Sequence, residues 1–132
     1  MADAADIYGA AFKHGSVTLL ARIVGAGGAN IVPPDISAIR YTVYLLDDQD
    51  PDSRTAVTGH TDVLLSVSAV LLGSLQTDPR WTVDATGYNF CHVLDVSAHP
   101  AFTIAGRRYL VEYRLTPVVG QVIVVRFRIN VI

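Results

Sequence analysis

The sequence is poor in cysteine, lysine and glutamate, and each shortage argues against a class of protein. Cys91 is the only cysteine, so the chain has no internal disulfide and is not a secreted disulfide scaffold. Lys13 is the only lysine and Glu112 the only glutamate, whereas helix-rich domains usually have both residue types on their exposed faces. GC-rich codon usage would give the same skew, so the fold prediction depends on the strand pattern described below.

A signal sequence and a long hydrophobic run are also missing. The first residues, Met1 to Asp6, are acidic where a signal peptide is basic, and no apolar segment follows them. The longest nearly uncharged run, Val63 to Leu75, is too short and too often interrupted by serine to span a bilayer. We therefore expect a chain that is made in the cytoplasm without a signal peptide and that has no membrane partner.

Charge and hydrophobicity predict which partners the chain has. Its 132 residues are the size of one domain, and the formal net charge of -2 lacks the basic excess of a nucleic-acid-binding protein. We therefore expect no nucleic-acid partner. Apolar residues make up 51% of the chain and charged residues 17%, against about 45–50% and about 25% in ordinary soluble domains. We expect part of this apolar surplus to lie in an interface with other copies or with another protein.

Short segments that alternate between apolar and polar residues follow one another, separated by turns rich in glycine, proline and aspartate. The predicted strands are 16–24, 31–32, 38–45, 55–58, 88–96, 107–116 and 121–131. The apolar residues of 63–75 fit the two-residue period of a strand and also the 3.6-residue period of a helix. This segment predicts a short strand followed by a helical turn or two. About seven strands predict an all-β, antiparallel, two-sheet sandwich over 16–132. Residues 1–15 form an arm, with a turn of helix around Ile7 to Phe12.

Candidate catalytic and metal-binding residues are few. Cys91 and His92 are neighbours on a predicted strand, so their side chains point to opposite faces and Cys91 is expected to be a buried, inert residue. His60 and Asp62 offer two ligands, whereas zinc sites need three or four. The acidic segment Asp47 to Ser53 lacks the glycine and the glutamate of a calcium loop. We predict no catalytic residue, no metal and no cofactor, and therefore no enzyme.

Two sets of residues remain as candidate binding groups. Trp81 and Tyr88 could form a stacking surface for sugars, although aromatic residues near a sheet more often lie in the core. Arg126 and Arg128 share one face of the last strand, and Arg108 and Arg114 share a face of the strand before it. These four arginines could bind an anionic ligand, but we expect them to form ion pairs at an interface or on the surface.

Several segments taken together resemble the immunoglobulin-like sandwich domains of tailed-phage virion proteins, including baseplate and head–tail accessory proteins. The resemblance begins with the strand, glycine turn and short strand of Ser16 to Ile31, and continues with the alternating strand of Asp35 to Tyr44. Gly106, Tyr109, Val111 and the final hairpin fit the last two strands of such a domain.

The resemblance implies a function by docking and no catalytic residues. Members of the family bind copies of themselves or other virion proteins, so we expect a non-enzymatic structural or assembly protein of a phage or phage-like particle. The expected partners of the chain are further copies of itself, in a homo-oligomer, or other particle proteins. A carbohydrate-binding or other ligand-binding sandwich module is the alternative, since unrelated functions share this fold.

Overall fold

The computed structural model describes residues 7–25, 27–50 and 52–132, which form two packed β-sheets. The strands are β1 Ile7–Ala11, β2 Thr18–Ala21, β3 Ile36–Leu46, β4 Arg54–Ala56, β5 Val63–Leu65, β6 Leu71–Gln76, β7 Tyr88–Val93, β8 Arg108–Pro117 and β9 Ile123–Val131. Within these ranges the helical segments are a 3-10 turn, Pro33–Asp35, and the four-residue helix α1, Val67–Val70. The predicted all-β sandwich is confirmed, with nine described strands where the sequence predicts about seven.

The larger sheet has the strand order β1-β9-β8-β3-β4, and β5 also pairs with β3. The smaller sheet has the order β2-β7-β6. Neighbouring strands are antiparallel except for β1 and β9, which run parallel with Ile7 opposite Phe127. The helical turn predicted around Ile7 to Phe12 is wrong, because pairing with the edge of β9 gives the backbone of this segment its hydrogen-bond partners. The first six residues of the predicted arm lie outside the described residues.

Two other local predictions differ from the structure. The segment 63–75 begins as the predicted strand and helical turn, but β6 then replaces any longer helix and pairs with β7. The predicted strand at 31–32 does not form; Val24 and Asn30 make an isolated bridge that closes the predicted glycine turn. The reason is that the two prolines after Val32 begin the 3-10 turn. Ala26 and Pro51, within the predicted turn and acidic segment, lie outside the described residues.

The core lies between the two sheets, and it is formed by alternate residues along each strand. Odd-numbered residues are buried against the smaller sheet from Ile39 to Val43 in β3, from Tyr109 to Leu115 in β8 and from Val125 to Val131 in β9. Phe90 of β7 fills the centre, with its ring 4.8 Å from the ring of Tyr113 in an edge-to-face arrangement. The even-numbered residues within these ranges therefore point away from the smaller sheet. Among the described residues, no helix is long and apolar enough to cross a bilayer.

Candidate functional site

The outer surface of the larger sheet is rich in arginine. Arg114 lies directly opposite Arg40 across the β8–β3 pair, and Arg126 of β9 lies opposite Glu112 of β8. Six of the nine arginines of the chain lie here, and we call this surface the arginine face: Arg40, Arg54, Arg108, Arg114, Arg126 and Arg128. The four arginines that the sequence groups therefore lie on one surface. Sequence reasoning missed Arg40 and Arg54, because alternation does not tell which strands are neighbours.

Glu112 lies at the centre of the arginine face and is only 4% exposed. Its Oε2 accepts a hydrogen bond of 3.1 Å from Nε of Arg126 and lies 3.7 Å from Nη1 of Arg54. Its Oε1 lies 3.5 Å from Nε of Arg114. One carboxylate thus orients three guanidinium groups and neutralises only one of their three charges.

A recess of about 250 Å³ lies between Arg40 and Arg114. Its other lining residues are Thr42, Tyr44, Thr61, Asp62 and Glu112. Nη1 of Arg40 lies 3.5 Å from Oδ2 of Asp62, an exposed pair. Like charges directly opposite each other on neighbouring strands are destabilising, so an anionic group between Arg40 and Arg114 would relieve a repulsion that is built into the sheet. Carboxylate and phosphate groups are the anions that guanidinium geometry suits.

Charge is unevenly divided between the arginine face and the rest of the chain. The face has six arginines against two carboxylates, Glu112 and Asp62, which is a formal charge of +4. Four bases and ten acids remain elsewhere, a formal charge of -6. Among the described residues, Arg108 makes no ion pair. The arginine face therefore has a surplus of positive charge that its own carboxylates do not neutralise.

The structure brings Trp81 and Tyr88 together, with ring centroids 5.7 Å apart, but it does not expose both rings. Tyr88 is 2% exposed; its hydroxyl donates to Asp78 and accepts from Arg80. Hydrogen bonds from Arg80 and then Tyr88 lower the pKa of Asp78 to about 2. Trp81 is half-buried and lines an open groove of about 220 Å³ beside β1 and β2. A stacking surface would therefore depend on Trp81 without Tyr88.

The candidate catalytic and metal-binding residues do not converge on a site. Cys91 is partly exposed, contrary to the prediction of burial, and faces outward opposite Leu20, whereas His92 points inward with Nδ1 2.6 Å from the hydroxyl of Tyr113. His60 is buried and lies apart from the exposed Asp62. In residues 7–25, 27–50 and 52–132, no three His, Cys, Asp or Glu side chains could hold a metal ion.

His60, which is buried, and His92, which is half-buried, are parts of a polar cluster between the two sheets. Nε2 of His60 donates to the carbonyl oxygen of His99 at 2.6 Å, so its Nδ1 accepts from the hydroxyl of Tyr41 at 2.8 Å in the neutral ring. The ring of Tyr41 also lies 5.2 Å from that of His92. These contacts satisfy buried polar groups and join the two sheets, which is a structural role.

Acid is expected to destabilise the fold through His92. Burial, and to a smaller degree the nearby His60, lowers the pKa of His92 from 6.5 to about 4. Between these values the unfolded chain binds more protons than the folded one, so stability is full above about pH 6.5 and falls toward pH 4. We expect a loss of about 1–3 kcal/mol, allowing for partial exposure of the ring.

Urea denaturation at about pH 7 and about pH 4.5 measures this loss. In the variant His92→Asn, which keeps a polar group near Tyr113 but cannot titrate, the difference between the two pH values is expected to shrink. An equal loss in the variant and the unmodified protein would assign the pH dependence to other groups.

Comparison with known proteins found no matching family model, no matching curated protein and no matching solved structure.

Proposed function

We propose that this chain is a non-enzymatic assembly domain that docks an acidic protein surface onto the arginine face. The observation that supports this most directly is the concentration of six arginines on one face, three of which share one buried glutamate. Arginine is enriched in protein interfaces and their energetic centres, because its planar guanidinium binds carboxylates through two hydrogen bonds. Glu112 reduces the freedom of Arg54, Arg114 and Arg126 before a partner arrives, which lowers the entropic cost of binding.

The distribution of acidic residues favours a protein partner over a long polyanion. Glu112 and Asp62 interrupt the positive surface. A nucleic acid would bring a continuous row of phosphates past these carboxylates. A protein can instead place single carboxylates against single arginines, and the acidic groups then exclude partners whose charges are in the wrong places.

The sequence resemblance supports a particle as the setting of this docking. In this proposal the domain is immunoglobulin-like and belongs to a phage or phage-like particle, where it binds further copies or other particle proteins. The carbohydrate-binding alternative has less support, because Tyr88 is buried and Trp81 is the remaining ring of the predicted pair.

Neutralising the recess is expected to weaken binding of an acidic peptide. The probe is a labelled oligo-aspartate peptide, measured by fluorescence anisotropy at about 50 mM and about 300 mM salt. We expect the double variant Arg40→Gln, Arg114→Gln to bind it at least about tenfold more weakly at the lower salt, because two charge-assisted hydrogen-bonding groups are lost. Raising the salt is expected to weaken binding by the unmodified protein as well.

The matched control removes the same charge outside the arginine face. Lys13→Gln, Arg80→Gln is expected to bind the peptide like the unmodified protein, since neither residue belongs to the arginine face. Equal weakening in both double variants would mean that only net charge matters, and the proposed docking face would be wrong. A single-stranded oligonucleotide that binds more tightly than the peptide, through the same arginines, would likewise overturn the choice of partner.

A further inference from the structure

The loop between β3 and β4 concentrates negative charge on a preformed turn. It has four aspartates within six residues: Asp47, Asp48, Asp50 and Asp52, which we call the acidic loop. Oδ1 of Asp47 accepts hydrogen bonds from the backbone N–H groups of Gln49 at 2.8 Å and Asp50 at 2.9 Å. The backbone N–H of Asp47 donates to the carbonyl oxygen of Ser53 at 3.0 Å. The bond from Gln49, and next the bond from Asp50, lower the pKa of the Asp47 carboxyl.

Two carboxylates of the acidic loop have no cation beside them among the described residues. Asp48 pairs with Arg107, and Asp47 is occupied by the backbone of its own turn. Oδ1 of Asp50 accepts only the backbone N–H of Asp52, and the side chain of Asp52 makes no ion pair within the described ranges. Both residues are exposed. They are the carboxylates that the loop can present to another molecule.

The acidic loop and the arginine face are complementary in charge and in functional groups, carboxylates against guanidinium groups. The recess has Arg40 and Arg114 on opposite sides, and its own carboxylates offset only part of the charge of the face. Asp62 is an exposed partner of Arg40, and Glu112 is shared by Arg114 and two further arginines. The loop has two exposed carboxylates, those of Asp50 and Asp52, and the backbone N–H of Asp52 donates to Oδ1 of Asp50. Every copy of the chain has both surfaces, so a second copy supplies the acidic partner that the arginine face requires.

We propose that the arginine face docks the acidic loop of a second copy, with Asp50 and Asp52 against Arg40 and Arg114. This inference rests on the proposed function and names its partner. The contact joins two different surfaces. Two copies can therefore bind reciprocally, each with its loop on the arginine face of the other, or successive copies can form a ring or a filament. Because each contact consists of ion pairs near the protein surface, association weakens as the salt concentration rises.

A mixing experiment tests the pairing of the two surfaces. The face variant is Arg40→Gln, Arg114→Gln, and the loop variant is Asp50→Asn, Asp52→Asn, which keeps the size of each side chain. Light scattering at micromolar concentration and about 50 mM salt measures the mass. We expect the unmodified chain to assemble, each variant alone to associate at least about tenfold more weakly, and an equal mixture to form a two-chain species, because the mixture retains one intact face and one intact loop.

The control variant Asp35→Asn, Asp95→Asn removes the same charge elsewhere and is expected to assemble normally. If the loop variant assembles like the unmodified chain while the face variant does not, the occupant is a different acidic surface; the inference fails and the proposed function stands. The same conclusion would follow if the unmodified chain were monomeric but still bound the oligo-aspartate peptide through Arg40 and Arg114. If the face variant both assembles and binds the peptide normally, the proposed function itself fails.

Discussion

Replacing Gly87 by alanine is expected to lower the free energy of unfolding by at least about 3 kcal/mol. Gly87 has a φ of 106°, a conformation that residues with a side chain rarely adopt. A Cβ atom at this position would also overlap the carbonyl oxygen of Gln76 and lie 3.0 Å from its carbonyl carbon. Both atoms belong to the backbone of β6, which pairs with β7 just beyond Gly87, so the clash cannot be relieved by rotating a side chain.

Gly106→Ala is the matched control for the backbone strain alone. Gly106 has a φ of 83°, and nothing lies within 4 Å of the position that a Cβ would occupy. We expect it to cost about 1 kcal/mol, the usual penalty for a left-handed residue with a side chain. Urea denaturation of both variants measures the difference. Equal losses would show that the overlap between a Cβ at position 87 and the backbone of β6 does not contribute to the loss of stability.

Replacing Glu112 by glutamine is expected to lower the free energy of unfolding by about 1–3 kcal/mol. The variant keeps the size of the side chain but leaves Arg54, Arg114 and Arg126 without their shared counter-ion. Removing one member of a buried ion pair costs about 3–5 kcal/mol, and we expect less here because the arginines reach water. Salt screens the repulsion among the three arginines, so the loss should be smaller at high ionic strength.

Asp62→Asn provides the comparison for an exposed carboxylate on the same surface. Asp62 faces Arg40, but its side chain is 70% exposed, so we expect a change below about 0.5 kcal/mol. Denaturation of both variants at low and high salt measures the two costs. If the two substitutions have the same effect, Glu112 does not organise the arginine face in the way that its burial indicates.

The long strands of the larger sheet could be predicted from the sequence, because alternation of apolar and polar residues is a local signal. Val43, Tyr113 and Ile129 all lie on the apolar faces of their strands and are buried. β1 could not be predicted, since its glycine and alanines have little intrinsic preference for a strand and depend on pairing with β9, more than a hundred residues later. The choice between strand and helix in 63–75 also depended on tertiary pairing, which places β6 beside β7.

The candidate site could be predicted only in part, for the same physical reason. Periodicity places Arg126 with Arg128 and Arg108 with Arg114, but the order of strands decides that Arg40 and Arg54 join them. The burial of Tyr88 likewise follows from its hydrogen bonds to Asp78 and Arg80 and from its place in β7, none of which a local pattern specifies.

The parallel pairing of β1 with β9 also determines how the domain responds to tension. β1 is the first described strand and β9 the last, and the two strands point the same way. A pull on the start of β1 and the end of β9 therefore slides one strand along the other, with the load across the hydrogen bonds of the five paired positions. These bonds share the force and must yield together, whereas an antiparallel terminal pair would peel apart one bond after another.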